Sequence, residues 1–239
     1  TASNDFLLSA RRSDAGNAEC LFHLYGDDMR YCHTRKKWMH WCESRWCIDE
    51  NATARRYMLT TVRARFHAYE QISDPDHRKK ALVWAIGCEN SGKIDAGLHV
   101  AEAHPVLNTT IDRYDRNSLL AACIGATLDL RACIHRNIRR DDFLTMQLGA
   151  TYDPDATCER WIQFLDEIFD GNTEVIGYIQ RAVGYSLTGD MREQKVFLLH
   201  GGGANGKSVF LDVLTKLLGD YAGNASFETF DANRRSENT

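Results

Sequence analysis

The sequence predicts an α+β fold: a helix-rich N-terminal domain with small β-hairpins over residues 1–152, then the start of a phosphate-loop α/β ATPase domain over residues 153–239. Three observations predict it. Helical patterns with polar caps and breakers occupy 52–103, between Asn51 and Pro105. Short apolar or alternating runs at 29–48 and 119–140 are divided by turn residues, as small sheets require. Residues 201–208, GGGANGKS, fit G-x-x-x-x-G-K-[ST] in full and lie between an apolar run and a helical repeat.

Composition narrows the class. At 44% hydrophobic and 26% charged, the chain is ordinary for a globular protein with real cores, and no apolar run reaches membrane-spanning length. The N-terminus has no apolar stretch after a basic start, so a signal peptide is not expected. With Thr1 in place of Met, a processed or excised piece is expected. The net charge of −4 does not advertise nucleic-acid binding, but it is uneven. Residues 1–150 hold 21 Lys+Arg against 19 Asp+Glu, and residues 151–239 hold 8 against 14. A weakly basic first part can carry a local patch that total charge cannot locate. Eight scattered cysteines without a secretion signal read as reduced thiols in a cytoplasmic protein.

In chain order, Ser13-Asp14 starts a helix through Leu21, Phe22 and Leu24, closed by Gly26-Asp27-Asp28. Strands follow at 29–32, 38–42 and 45–48, with Glu43-Ser44 as a turn. Three tryptophans, Trp38, Trp41 and Trp46, suggest cross-strand aromatic packing. Cys32, His33, His40, Cys42 and Cys47 invite a zinc reading, but no C-x₂-C or H-x₃₋₅-H pair is present, so packing thiols are the default. The aromatics could alternatively stack on bases. Asn51 is placed to cap a helix over 52–72 that carries Arg55, Arg56, Arg63 and Arg65, the best local basic face and a candidate DNA contact. Further helices are expected up to Ser91-Gly92 and over 94–103. Strands at 119–123 and 127–131 precede a basic turn and strand at 134–140, whose Arg136, Arg139 and Arg140 join the DNA-contact candidates. Tyr152-Asp153-Pro154-Asp155 is the strongest domain punctuation. Helices follow over 158–169 and 174–187.

The stretch 195–222 carries the chemistry. Val196 to Leu199 read as a buried parallel strand, and Phe210, Leu211, Leu214, Leu217 and Leu218 as the apolar side of a helix. Between them, Gly201, Gly202, Gly203, Ala204, Asn205, Gly206, Lys207, Ser208 and Val209 form the nucleotide-binding stretch. Glycines let backbone N–H groups converge on one anion, and the helix aims its positive end at the same point. Lys207 is the catalytic candidate, reaching the β- and γ-phosphates of ATP, and the Ser208 hydroxyl would ligate Mg²⁺.

These residues together resemble the phage- and plasmid-type primase–helicases, whose C-terminal part is a superfamily III helicase with an AAA+-like core. Residues 14–19 (DAGNAE) and 26–32 (GDDMRYC) resemble the opening of that family's pre-helicase domain, and 37–46 its tryptophan hairpin. Leu128-Asp129-Leu130-Arg131 resembles its "DLR" turn. Residues 152–156 (YDPDA) and 184–190 (GYSLTGD) resemble its linker and pre-loop helix, and GGGANGKS is similar to its phosphate loop. The resemblance implies an ATP-dependent helicase with ATP and Mg²⁺, a hexameric ring around single-stranded or forked DNA, and a role in phage or mobile-element replication in a bacterial cytoplasm. Nothing in the chain resembles the primase domain the family often carries upstream.

Two departures stand out. Trp41 is followed by Cys42-Glu43 where the family has Asp-Gly, and the DLR turn continues with Ala132-Cys133 in place of Thr-Gly. A phosphate-loop ATPase also needs an acidic strand end for its metal and water. After Ser208 the acidic residues are Asp212, Asp220, Glu228, Asp231 and Glu237, and none ends an apolar strand. The chain is therefore expected to hold half of an ATPase site, as a fragment of a larger helicase. The alternative is a DNA-binding or assembly module without motor activity. A small-molecule kinase sharing the loop fits the long N-terminal region poorly.

Overall fold

The structure is a computed structural model that describes residues 2–226; Glu228, Asp231 and Glu237 lie outside the described residues. Among those residues it is α+β, with eight α-helices and two small mixed sheets. Among the described residues the chain forms two compact units, 2–116 with Arg140–Thr145, and Asn117–Arg139 with 146–226.

The first unit contains α1 (Ala2–Ser9), α2 (Asp14–Tyr25), β1 (Met29–Cys32), β2 (Lys37–Cys42), β3 (Arg45–Ile48), α3 (Thr53–Tyr69), α4 (Pro75–Cys88), α5 (Ser91–Ala101) and β4 (Asn108–Thr109). Ser13 caps α2, its hydroxyl accepting from the Gly16 N–H at 3.1 Å. Asp74 and Pro75 start α4 as a cap and a first-turn proline. At α3 the cap differs from expectation. The Asp49 carboxylate, and not Asn51, accepts from the Thr53 and Ala54 N–H groups at 2.7 and 2.8 Å, and Ala52 turns in the left-handed region between them. A carboxylate can serve two orphan N–H groups at once, and the left-handed residue brings the chain back over it.

The hairpins form as the sequence indicates. β1 pairs with β2 and β2 with β3, antiparallel, with Tyr31 opposite Trp38 and Trp41 opposite Trp46. The two-residue β4 joins β1 in parallel, giving the order β3-β2-β1-β4. One face of this sheet packs Met29 on Leu21, Met58 and Val62 from the helical layer and on Leu107 just before β4. The other buries Cys32, Met39 and Trp46 with Tyr114 and Phe143.

The second unit contains β5 (Leu120–Ile124), β6 (Ala126–Asp129), β7 (Ile134–Arg136), β8 (Gln147–Thr151), α6 (Glu159–Ile168), α7 (Thr173–Ser186) and α8 (Lys207–Leu218). Its sheet repeats the plan of the first: a three-strand meander with a later strand, β8, parallel to the first strand. Leu218 and Tyr221, at the end of α8 and just beyond it, pack on Ala121, Cys123, Ala126 and Leu148 of this sheet. α6, α7 and α8 enclose an apolar cavity of about 800 Å³. No helix among the described residues is long and apolar enough to cross a membrane.

Candidate functional site

The expected strand at 196–199 does not form. The chain from 194 to 200 has no regular structure, and Val196 and Leu198 are 80% and 86% exposed. A parallel strand is held by neighbours on its edges and helices on its faces. No strand among the described residues pairs with this run.

The loop and helix after it are formed. Gly206 precedes the first turn of α8 with φ 79°, a left-handed conformation that glycine adopts without a Cβ penalty, and a Cβ there would also meet the Ile168 and Phe164 side chains. Those side chains belong to the apolar face of α6. Phe210, buried in the first turn of α8, stacks on Trp161 with ring centroids 5.7 Å apart. α6 therefore fixes where α8 begins and which way its N-terminus points.

Lys207 folds back over the loop. Its ammonium donates to the Gly201 and Gly202 carbonyls at 3.2 and 3.1 Å and to Asn205 Oδ1 at 2.6 Å. The positive charge thus sits within the loop, at the mouth of a helix whose first N–H groups have no side-chain cap. Gly203 and Ala204 are exposed at the loop's apex, Ala204 with a left-handed φ of 57°. Ser208 and Val209 are exposed in the first turn, and the Ser208 hydroxyl makes no hydrogen bond among the described residues. An anion drawn to this point meets free N–H groups, an ammonium and a free hydroxyl. The 800 Å³ cavity is lined by none of the loop residues, so it is not this site.

Carboxylates are sparse. Asp212 is exposed one turn beyond Ser208, and the Asp220 carboxylate accepts from the Gln147 N–H at 3.1 Å. Among the described residues no group of three or more His, Cys, Asp or Glu side chains is placed to hold a metal ion. In the hairpin, His40 Nε2 lies 3.1 Å from Cys42 Sγ, while Cys32 faces the opposite, buried side of the sheet.

The arginine candidates fall into different settings. Arg65 is fully buried, so it is not part of an exposed basic face: a cation with no exposed surface cannot touch DNA. Arg55 pairs with Asp95 and also donates to Ser91, and Arg56 is bound to the Asn51 carbonyl and Thr53. Arg63 pairs with Glu89 at 3.4 Å. Arg140 makes a two-nitrogen contact with Asp28 and lies over the Trp41 ring. Arg136 donates to the Asn137 carbonyl, and Arg139 is exposed. Helical charge runs drew attention to α3. Three consecutive cations without an ion pair, Arg35, Lys36 and Lys37, occupy the β1–β2 turn, and an Arg-Lys-Lys between two strand patterns is the sequence signal for them.

Comparison with known proteins gives one family. The family model described as "D5 N terminal like" matches residues 18–170, well over half of the chain. No curated protein matches. The chain belongs to the D5 N terminal like family, the N-terminal domains of phage and plasmid primase–helicase-type replication proteins.

Proposed function

We propose that this member of the D5 N terminal like family serves an ATP-dependent DNA helicase in phage or mobile-element replication, with residues 153–239 as the first part of the motor domain. The motor works as a homo-oligomeric ring, a hexamer, on single-stranded or forked DNA. The observation that carries the reading is the loop at 201–208. Its lysine ammonium lies against the Gly201 and Gly202 carbonyls, the N-terminus of α8 has no side-chain cap, and the Ser208 hydroxyl in the first turn is unengaged.

ATP would displace Lys207 from the Gly201 and Gly202 carbonyls and take the ammonium on its β- and γ-phosphates. The amides of the first turn of α8 would hold the same phosphates. Ser208 fits a Mg²⁺ ligand because its hydroxyl is exposed and unengaged, and the ion, when bound, neutralises charge across the β- and γ-oxygens. Asp212, exposed one turn beyond Ser208 on α8, ends no strand as a water-activating carboxylate would, so the reading rests on ATP binding.

Titration with a fluorescent ATP analogue tests this. Lys207→Ala should weaken binding about tenfold or more, since a charge-assisted contact contributes roughly 1.5–3 kcal/mol. Unchanged affinity in that variant removes the basis of the reading. A second reading, a DNA-binding or assembly module without motor activity, is favoured by the exposed run at 196–199. Retained DNA binding with no nucleotide binding by the unaltered chain would select it.

A further inference from the structure

The exposed turn between β1 and β2 concentrates uncompensated charge. Arg35, Lys36 and Lys37 follow one another and are all exposed, with Lys36 in the left-handed region at φ 53°. No ion pair or side-chain hydrogen bond engages these three cations among the described residues. This separates them from the α3 arginines, whose charges are met by Asp95 and Glu89 or bound within the fold.

The turn is held in place. The His33 N–H donates to the Thr109 carbonyl at 3.0 Å, and the Ile111 N–H donates to the Thr34 hydroxyl at 3.3 Å. Those bonds pin the turn to the 110–116 loop, which adds Arg113 and Arg116, both exposed. The acids there are Asp112, exposed beside them, Asp115, whose carboxylate is engaged by the Thr145 N–H and hydroxyl at 2.8 and 2.5 Å, and Glu102, whose carbonyl accepts from His33 Nε2 at 3.0 Å and whose carboxylate lies 3.3 Å from His99 Nδ1. Aromatic rings stand at the base of the same hairpin. Tyr31 lies edge-on to Trp38 at 5.1 Å and to His33 at 4.8 Å, and none of the three is buried.

We propose that the β1–β2 turn, with the 110–116 loop, is a contact surface for single-stranded DNA: Arg35, Lys36 and Lys37 take phosphates, and Tyr31 and His33 receive bases. Unpaired cations release counterions when they meet phosphates, while aromatic faces beside them give bases a stacking surface. A duplex buries its base faces and uses only the cations, so the combination favours a single strand. The inference rests on the reading that the chain works on DNA, and does not depend on nucleotide binding.

Fluorescence anisotropy of a labelled oligo-dT with the full chain, repeated across salt concentrations, tests it. The unaltered chain should bind oligo-dT more tightly than a duplex. The triple variant Arg35→Ala/Lys36→Ala/Lys37→Ala should bind about tenfold or more weakly, with a salt slope shallower by about 2. Tyr31→Leu should weaken binding and leave the salt slope intact. Arg55→Ala/Arg63→Ala should stay within about twofold of the parent. Far-ultraviolet dichroism checks the triple variant's fold, and Lys36→Glu alone, at an exposed turn, supplies the same direction of change should the triple variant misfold. Undiminished affinity and slope in these charge variants, a preference for duplex, or no oligo-dT binding by the unaltered chain each overturns the surface. Loss of nucleotide binding with oligo-dT binding retained overturns the motor reading alone.

Discussion

Arg65 carries its guanidinium into the core of the first unit, where none of its hydrogen-bond partners is a carboxylate. It donates to Asn17 Oδ1 at 2.7 Å, to the Ala10 and Arg11 carbonyls at 2.8 and 3.0 Å, and to the Tyr69 hydroxyl at 2.6 Å. The guanidinium also lies 4.7 Å from the centre of the Trp84 ring. Five donors in a planar fork are what let one side chain close the α1–α2 link, α2 and α3 together. Arg65→Met should therefore destabilise the protein by about 3 kcal/mol, because several buried acceptors lose their donor together. Urea denaturation reads this, and a loss below about 1 kcal/mol would mean the network is dispensable. The position was readable after all. Met58, Thr61, Val62, Arg65, Ala68 and Tyr69 are the buried stripe of α3, so the helical period places Arg65 inward and Arg55 and Arg63 outward. Nearby, burial pushes the Cys20 thiol up to about 11, which keeps it protonated and unreactive at neutral pH.

At the level of elements, the start of α3 depends on a side chain outside the helix. Burial raises the Asp49 pKa, but the Ala54, Thr53 and Asn51 N–H groups outweigh it and hold the carboxyl below its usual range. A depressed pKa means the stabilisation is complete above the unfolded value near 3.8 and fades as pH falls through the lower folded value. Asp49→Ala should cost about 1 kcal/mol at neutral pH, and the gap to the parent should narrow below pH ~4. Denaturation at two pH values measures it, and a gap that widened in acid would contradict the capping role. Asn51 was the natural sequence choice because it immediately precedes the helical pattern. The reach back to Asp49 depends on the left-handed Ala52, and a left-handed alanine leaves no mark in a residue pattern. Strand length matters in the same way. β1 to β3 are apolar- and aromatic-rich runs of four to six residues bounded by turn residues and are legible, while the two-residue β4 is too short to leave a pattern.

At the scale of the whole molecule, each compact unit has its own sheet and its own core, and α8 is tied to the second by backbone contact. Gly149 of β8 lies so close to the last turn of α8 that an added Cβ would run into the Lys216 carbonyl oxygen. That approach seats Leu218 and Tyr221 on the sheet, so α8 is held at its C-terminal end by β8 and at its N-terminal end by α6. Gly149→Ala should cost about 1–3 kcal/mol through forced separation of the two backbones. Hydrogen exchange should rise in β8 and α8, and unchanged protection there would show that the contact is not tight.

Local chemistry was enough for much of this protein. Helical periods and breakers located α2 to α8, and short apolar or alternating runs located the two hairpin systems, because each depends on residues near one another in the chain. Tertiary structure decided the rest. It buried Arg65, paired off Arg55 and Arg63, placed β4 and β8 beside strands distant in sequence, and left 196–199 exposed. The physical reason is common to all four: a charge, an edge or an apolar run takes its state from whatever packs against it, and that neighbour comes from elsewhere in the chain.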